Sequence, residues 1–216
     1  KYNRKYLLRV QKRDGTYIEI RLPFTVEFDI HRNILSSANV CSIRIYNLNQ
    51  DTRNQIRKDQ FDQTDFRVVT FFAAYGGNLS LAFNGTISIA WSVRDGVDFV
   101  TTIECFDGGY DFINSQSSVS FPADTPQQVV VESLVSDLKN LDKGAIGEID
   151  GSIPKGNTYD GPTADLLVDV TGGQTGSSFF VDNMKANCIG PNECIEGDII
   201  LINAASGLLG TPVIEN

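Results

Sequence analysis

The stretch LSLAFNGTISIAWSV, Leu79 to Val93, carries fifteen residues of unbroken alternation. Leu79, Leu81, Phe83, Gly85, Ile87, Ile89, Trp91 and Val93 share one face; Ser80, Ala82, Asn84, Thr86, Ser88, Ala90 and Ser92 share the other. Successive side chains of a strand point to opposite faces, so this period of two marks a β-strand with one buried face. A glycine inside such a run marks a bend or bulge, here at Asn84-Gly85. The face assignment predicts a core containing Phe83, Ile87 and Trp91, joined by Phe99 from the following strand.

After this strand, Asp95-Gly96 supplies a hairpin turn, because glycine accepts the positive φ that tight loops require. The return strand covers 97–106. Asp14-Gly15 makes a second hairpin between 6–11 and 17–22, and 24–31 pairs with 40–47 across a longer loop. A further strand at 66–75 brings the total to about seven, with one short helix near 51–58. Seven short antiparallel strands fit a small barrel or a sandwich; the barrel is favoured because closure hides strand edges.

Residues 108–216 read differently. Thr125-Pro126-Gln127-Gln128 is a helix start, with Thr as N-cap, Pro at the first helical position and Gln three residues after the cap. Val130, Leu134, Val135 and Leu138 follow at helical spacing, to an end near Asn140. A second helix runs from Thr163 through Val170 and stops at Gly172-Gly173. Strands are expected at 178–182 and 198–203.

Charge changes at the same place. Residues 1–107 carry 14 Lys/Arg against 12 Asp/Glu, a balance of +2, whereas 108–216 carry 4 Lys against 15 Asp/Glu, a balance of −11. That break near Asp107-Gly108-Gly109 predicts two domains, a β-barrel over 1–107 and a smaller α+β domain over 108–216. The whole chain, 216 residues with 41% hydrophobic and 21% charged, has ordinary globular composition, which excludes disordered and fibrous classes. A net charge of −9 argues against general nucleic-acid affinity. No uninterrupted apolar run approaches the roughly 20 residues of a membrane span, and the basic opening KYNRKYLLRV lacks a signal-peptide core.

His31 is the single histidine, so any His-based triad or metal cluster must use it. It falls with Thr25, Glu27 and Asp29 on the polar face of its strand, while Cys41 shares the apolar face of the next strand with Ile43 and Ile45. If the two strands pair, thiol and imidazole point apart, which excludes a Cys–His dyad. Glu27 and Asp29 sit two apart on a polar face, as solvated acids do. The glycine-rich run 172–178 lacks a P-loop lysine and follows a helix. Asp160, Asp165 and Asp169 do not have EF-hand spacing. No metal or cofactor is implied.

Cys41 and Cys105 occupy apolar strand positions and read as buried thiols. Cys188 and Cys194 bracket a turn-like Ile-Gly-Pro-Asn-Glu and form a candidate disulfide, the alternative being two free thiols. Two thiols without a neighbouring histidine are too few for structural zinc.

Short stretches, taken in order, resemble the baseplate hub proteins of tailed phages. Phe24-Thr25-Val26-Glu27-Phe28-Asp29-Ile30, Ser36-Ser37-Ala38-Asn39, Ser42-Ile43-Arg44-Ile45-Tyr46-Asn47-Leu48 and Thr52-Arg53 resemble the family's opening, in which an F-x-F-x-I strand pairs with an x-I-x-I-Y-N-L strand before a helix. Ala74-Tyr75-Gly76, Leu81 to Ile87, Asp95 to Asp98 and Cys105 to Gly108 agree with the later elements. The segment 125–141 resembles the family's next helix, and Ser206 to Pro212 resembles its T-G-L-L-G-x-P signature, with Ser206 where Thr is usual.

The resemblance implies a mainly β fold: an antiparallel, tail-tube-like barrel with one short helix, then the α+β domain, with a second barrel expected either beyond Asn216 or from a different protein. It implies a structural virion protein of the tail and baseplate, made in the host cytoplasm and neither an enzyme nor a cofactor carrier. It also implies a homotrimer that joins the tail tube or distal tail protein to a central spike or fibre, around a channel through which DNA passes without specific binding. Arg53, Arg57 and Lys58 concentrate positive charge on the short helix and, with the loop 33–39, are the candidate subunit interface. Three alternatives remain: a tail-tube or distal-tail protein, a carbohydrate-binding adhesin-like module using Tyr110 and Tyr159, and a lytic tail-tip enzyme using Glu27 or Asp29.

Overall fold

The computed structural model describes residues 3–32, 38–62, 64–172, 177–190, 193–196 and 199–202, the last two segments as backbone only. The chain forms two compact units, one of 1–33, 37–113 and 181–184, the other of 34–36, 114–180 and 185–216. The signature at 206–212, most of the loop 33–39 and the chain end lie outside the described residues.

The first unit contains β1 (Arg4–Gln11), β2 (Tyr17–Ile20), β3 (Val26–His31), β4 (Val40–Tyr46), α1 (Gln50–Ile56), β5 (Val68–Tyr75), β6 (Ser80–Asp95), β7 (Asp98–Phe106) and the short α2 (Gly109–Asn114). The strands form one sheet in the order β2-β1-β5-β6-β7-β4-β3, and every ladder in it is antiparallel. The sheet rolls on itself as a barrel does. The Tyr6 hydroxyl on β1 donates to the Phe24 carbonyl just before β3, and Phe28 on β3 rests against Phe71 on β5 with ring centroids 4.7 Å apart. Leu8, Val10, Ile43, Ile45, Phe71, Phe83, Ile87 and Ile103 fill the interior. Full burial of such side chains stabilises the fold by about 1.5–3 kcal/mol each.

Both tight hairpins form where expected. Gly96 turns with φ +60 between paired Asp95 and Asp98, and the Asp14 carboxylate accepts from the Thr16 amide at 2.9 Å in the β1–β2 turn.

The structure corrects the reading of β6. Ladder register runs unbroken through Asn84 and Gly85 and shifts elsewhere, opposite Phe71/Phe72 and between Ile87 and Ile89. An added residue at the second shift reverses the parity of everything after it. Phe83 and Ile87 are therefore 1% exposed, but beyond Ser88 the core residue is Ala90. Trp91 is only half-buried and Phe99 remains 38% exposed, so neither belongs to the core. Gly85 has a different reason: a Cβ there would lie 2.6 Å from the Phe106 carbonyl oxygen and 2.7 Å from the Phe83 ring.

The second unit contains β8 (Gln116–Phe121), α3 (Gln127–Ser136), β9 (Asp142–Ile146), β10 (Asn157–Pro162), α4 (Thr163–Gly172), β11 (Ser178–Asp182), β12 (Lys185–Ile189), β13 (Glu193–Glu196) and β14 (Ile199–Ile202). β8 pairs with β10, β11-β12-β9 form a three-stranded sheet, and β13 pairs with β14. The core draws on Val130, Val131 and Leu134 of α3, Leu167 of α4 and Phe179 of β11. Here the N-cap is Pro126, one residue later than expected, and it makes no side-chain cap. The Thr125 hydroxyl instead turns back to the Pro122 carbonyl at 2.8 Å. The expected Gln128 cap is also absent, because its Oε1 accepts from the Ile149 amide at 3.1 Å. α3 ends at Ser136, short of the expected Asn140.

Candidate subunit-contact site

The candidate interface residues begin on α1. The Asn49 side chain caps its start, accepting from the Thr52 amide at 2.8 Å. Its end is capped by a residue that the sequence pattern did not single out. Arg67, 4% exposed, donates to the carbonyls of Gln55 at 2.7 Å, Ile56 at 3.0 Å and Arg57 at 2.9 Å, and its Nε meets the Asp65 carboxylate at 2.8 Å. A guanidinium satisfies the orphan carbonyls of a helix end and complements its dipole. No local motif announces this, because Arg67 lies a loop away from the helix it caps.

Lys58 belongs to the same construction. It is 5% exposed, and its backbone exchanges two 3.0 Å hydrogen bonds with Ala90, covering the edge of β6 past the end of β5. Its ammonium donates to the Ile87 carbonyl at 2.6 Å and lies over the Phe66 ring. Burial lowers its pKa against the opposing pull of Asp65 and Asp62. Lys58 thus adds no charge to the exposed face of α1.

Arg53 and Arg57 do face outward. The Arg53 guanidinium stacks over the Phe99 ring, 3.9 Å from its centroid, and its buried Nε has no hydrogen-bond partner. Arg57 is exposed. With Gln50, Asn54, Trp91 and Ser92 the two arginines line an open cleft of about 360 Å³. The parity change in β6 turns Trp91 into the wall of this cleft. Two guanidinium groups beside an aromatic wall suit a carboxylate, which Arg binds in a planar, two-pronged way.

A second polar cluster in the first unit centres on Asp107, at the end of β7. Its carboxylate, 1% exposed, accepts from the backbone amides of Asn183 at 2.5 Å and Met184 at 2.7 Å. Both donors sit at positive φ, 54 and 63. The Asn39 side chain donates to the Val181 carbonyl at 2.9 Å, and the Asn183 side chain accepts from the Asn84 amide at 3.1 Å. Burial pushes the Asp107 carboxyl up to about 6, with the two amides pulling the other way.

The residues considered for catalysis are not brought together. Cys41 is buried under the sheet, its thiol raised by burial to about 12, while His31 is exposed and pairs with Asp29 at 3.1 Å. Glu27 pairs with Arg44 at 3.8 Å. Cys105 faces Cys41 across the β4–β7 ladder and is likewise buried and free. Cys188 is a free, buried thiol of β12, also raised to about 12 by burial; the Cys194 side chain lies outside the described residues. Tyr110 packs edge-on against Phe66, and Tyr159 against Phe121. Among the described residues no group of His, Cys, Asp and Glu could hold a metal ion, and no helix is long and apolar enough to cross a membrane.

A rolled, seven-stranded antiparallel sheet with one capped helix, continued by an α+β unit, is a fold found in phage tail proteins. The chain is similar to the 43 kDa tail protein of prophage MuSo2 from Shewanella oneidensis, with a TM-score of 0.57 and 11% identity over 85% of this chain and 54% of that one. It is also similar to the tail protein from Neisseria meningitidis MC58, with a TM-score of 0.55 and 11% identity over 87% of this chain and 50% of that one. The chain therefore spans about half the length of the solved tail proteins it matches. No protein-family model and no curated protein sequence matches it.

Proposed function

We propose that this chain is a structural component of a phage tail, serving in the baseplate hub where the tail tube meets a central spike or fibre. The carrying observation is the fold, shared with two tail proteins across 85% and 87% of the chain and so across most of both units. The order of hub-like stretches from Phe24 to Gly108 supports the finer reading, since it follows β3, β4, α1, β5, β6 and β7 in turn. In this role the chain assembles as a trimer with other tail proteins, lines the DNA exit channel without gripping DNA, and resides in the virion. The acidic residues 108–216 suit a channel wall, because phosphates bind basic surface.

Purification of tagged full chain from cells producing the phage tests this. A particle whose mass contains three copies, together with tube and spike proteins, is the expected result. Recovery without any tail protein would overturn it.

A further inference from the structure

The cleft around Arg53 and Arg57 has a counterpart in the second unit. Asp165 and Asp169 lie four residues apart on α4, and both are exposed. Residues four apart on a helix stand on one face, about 6 Å apart along its axis. Arg53 and the C-cap Arg57 have the same spacing on α1. Among the described residues, none of these four side chains takes part in an ion pair. The Arg53 Nε is left without an acceptor, and leaving a buried donor unmatched is costly. The second unit as a whole offers the opposite charge, −11 over 108–216.

We propose that the Arg53–Arg57 cleft is a self-association site that receives Asp165 and Asp169 from a second copy of this chain. Each arginine takes one carboxylate, Trp91 walls the pair from water on one side, and the Phe99 ring holds the Arg53 guanidinium in place. The contact is heterologous, α1 of one copy to α4 of the next, and contacts of that kind form rings where the rotation closes and open filaments where it does not. This gives a surface to the assembly proposed above, yet it concerns the purified chain alone, so its test is separate from the tail role.

The full chain is followed by sedimentation velocity and by the emission of Trp91, the single tryptophan, which reports on the cleft directly. The wild type should associate with rising concentration, more tightly at low salt, with a matching change in Trp91 emission. Arg57→Glu and Asp169→Lys should each weaken association about tenfold or more. R53E/R57E and D165K/D169K should each fail to associate alone but associate when mixed, because each then supplies the charge the other has lost. Thermal unfolding of each variant checks that it is folded, and the two single variants lie on exposed positions. A wild type that stays monomeric, variants that associate as the wild type does, or a mixture that does not recover would each overturn the proposal. A change in Trp91 emission independent of concentration would place the acids within the same chain and overturn it as well.

Discussion

The two ends of β6 carry the same alternation and reach opposite outcomes. From Phe83 to Ile87 the odd-numbered residues enter the core, as the pattern dictates. From Ile89 to Val93 they do not, because the ladder shifts at Ser88 and Ala90 takes the inward place. The first end is paired by β5, and the β5 and β7 ladders overlap at Thr86. The second is paired by β7 alone, and its free edge is covered by Lys58, which the Arg67 cap holds in position. Alternation therefore reports a buried face only while the ladder keeps its register. Past a bulge, an apolar residue such as Trp91 is left for a surface.

Substitutions along β6 and its supports test this contrast. Phe83→Ala should cost about 3–5 kcal/mol, measured by denaturant unfolding. Arg67→Ala should cost a similar ~3–5 kcal/mol, because Asp65 and three carbonyls lose a buried cation together; a loss under about 1 kcal/mol would remove the cap from the explanation of the far end.

Asp107, next to the Phe106 that pairs with Thr86, tests the well-packed end through pH. Its folded pKa of about 6 lies above the ordinary carboxyl value of 3.8, so between those values the folded state binds the proton more tightly. Stability from this group therefore rises as pH falls from 7 through 6 towards 4, by up to about 3 kcal/mol. Asp107→Asn should remove that slope, seen as a flatter difference in unfolding free energy between the two pH values. The smallest effect should come from Trp91→Ala, about 1 kcal/mol, as for a half-buried side chain. A loss as large as that of Phe83→Ala would restore Trp91 to the core and contradict the register shift.

The strands of the barrel were legible because each pairs apolar alternation with a turn that fixes its ends, as at Asp14-Gly15 and Asp95-Gly96. In the second unit β11 and β14 were legible as short apolar runs, but β8 and β10 were not. β8, QSSVSF, and β10, NTYDGP, carry almost no apolar face and exist by pairing with each other. α3 and α4 were found by helical spacing, but the expected cap at Thr125 does not form: the helix begins one residue later, at N-cap Pro126, and the Thr125 hydroxyl donates to the Pro122 carbonyl. Within the candidate site, Arg53 and Arg57 were legible as charge on a helix. Lys58 was misplaced, because its burial depends on the β6 edge it covers. Arg67 and Asp107 gave no local signal, as the carbonyls that Arg67 caps and the amides that Asp107 accepts from come from other parts of the chain.

Electron cryomicroscopy of the assembled phage particle tests the tail role most directly. Three copies of this chain at the junction between the tail tube and the central spike or fibre are the predicted result. Six copies in a ring along the tube would make it a tube or distal-tail protein and contradict the hub position. A particle without the chain would contradict the structural role itself.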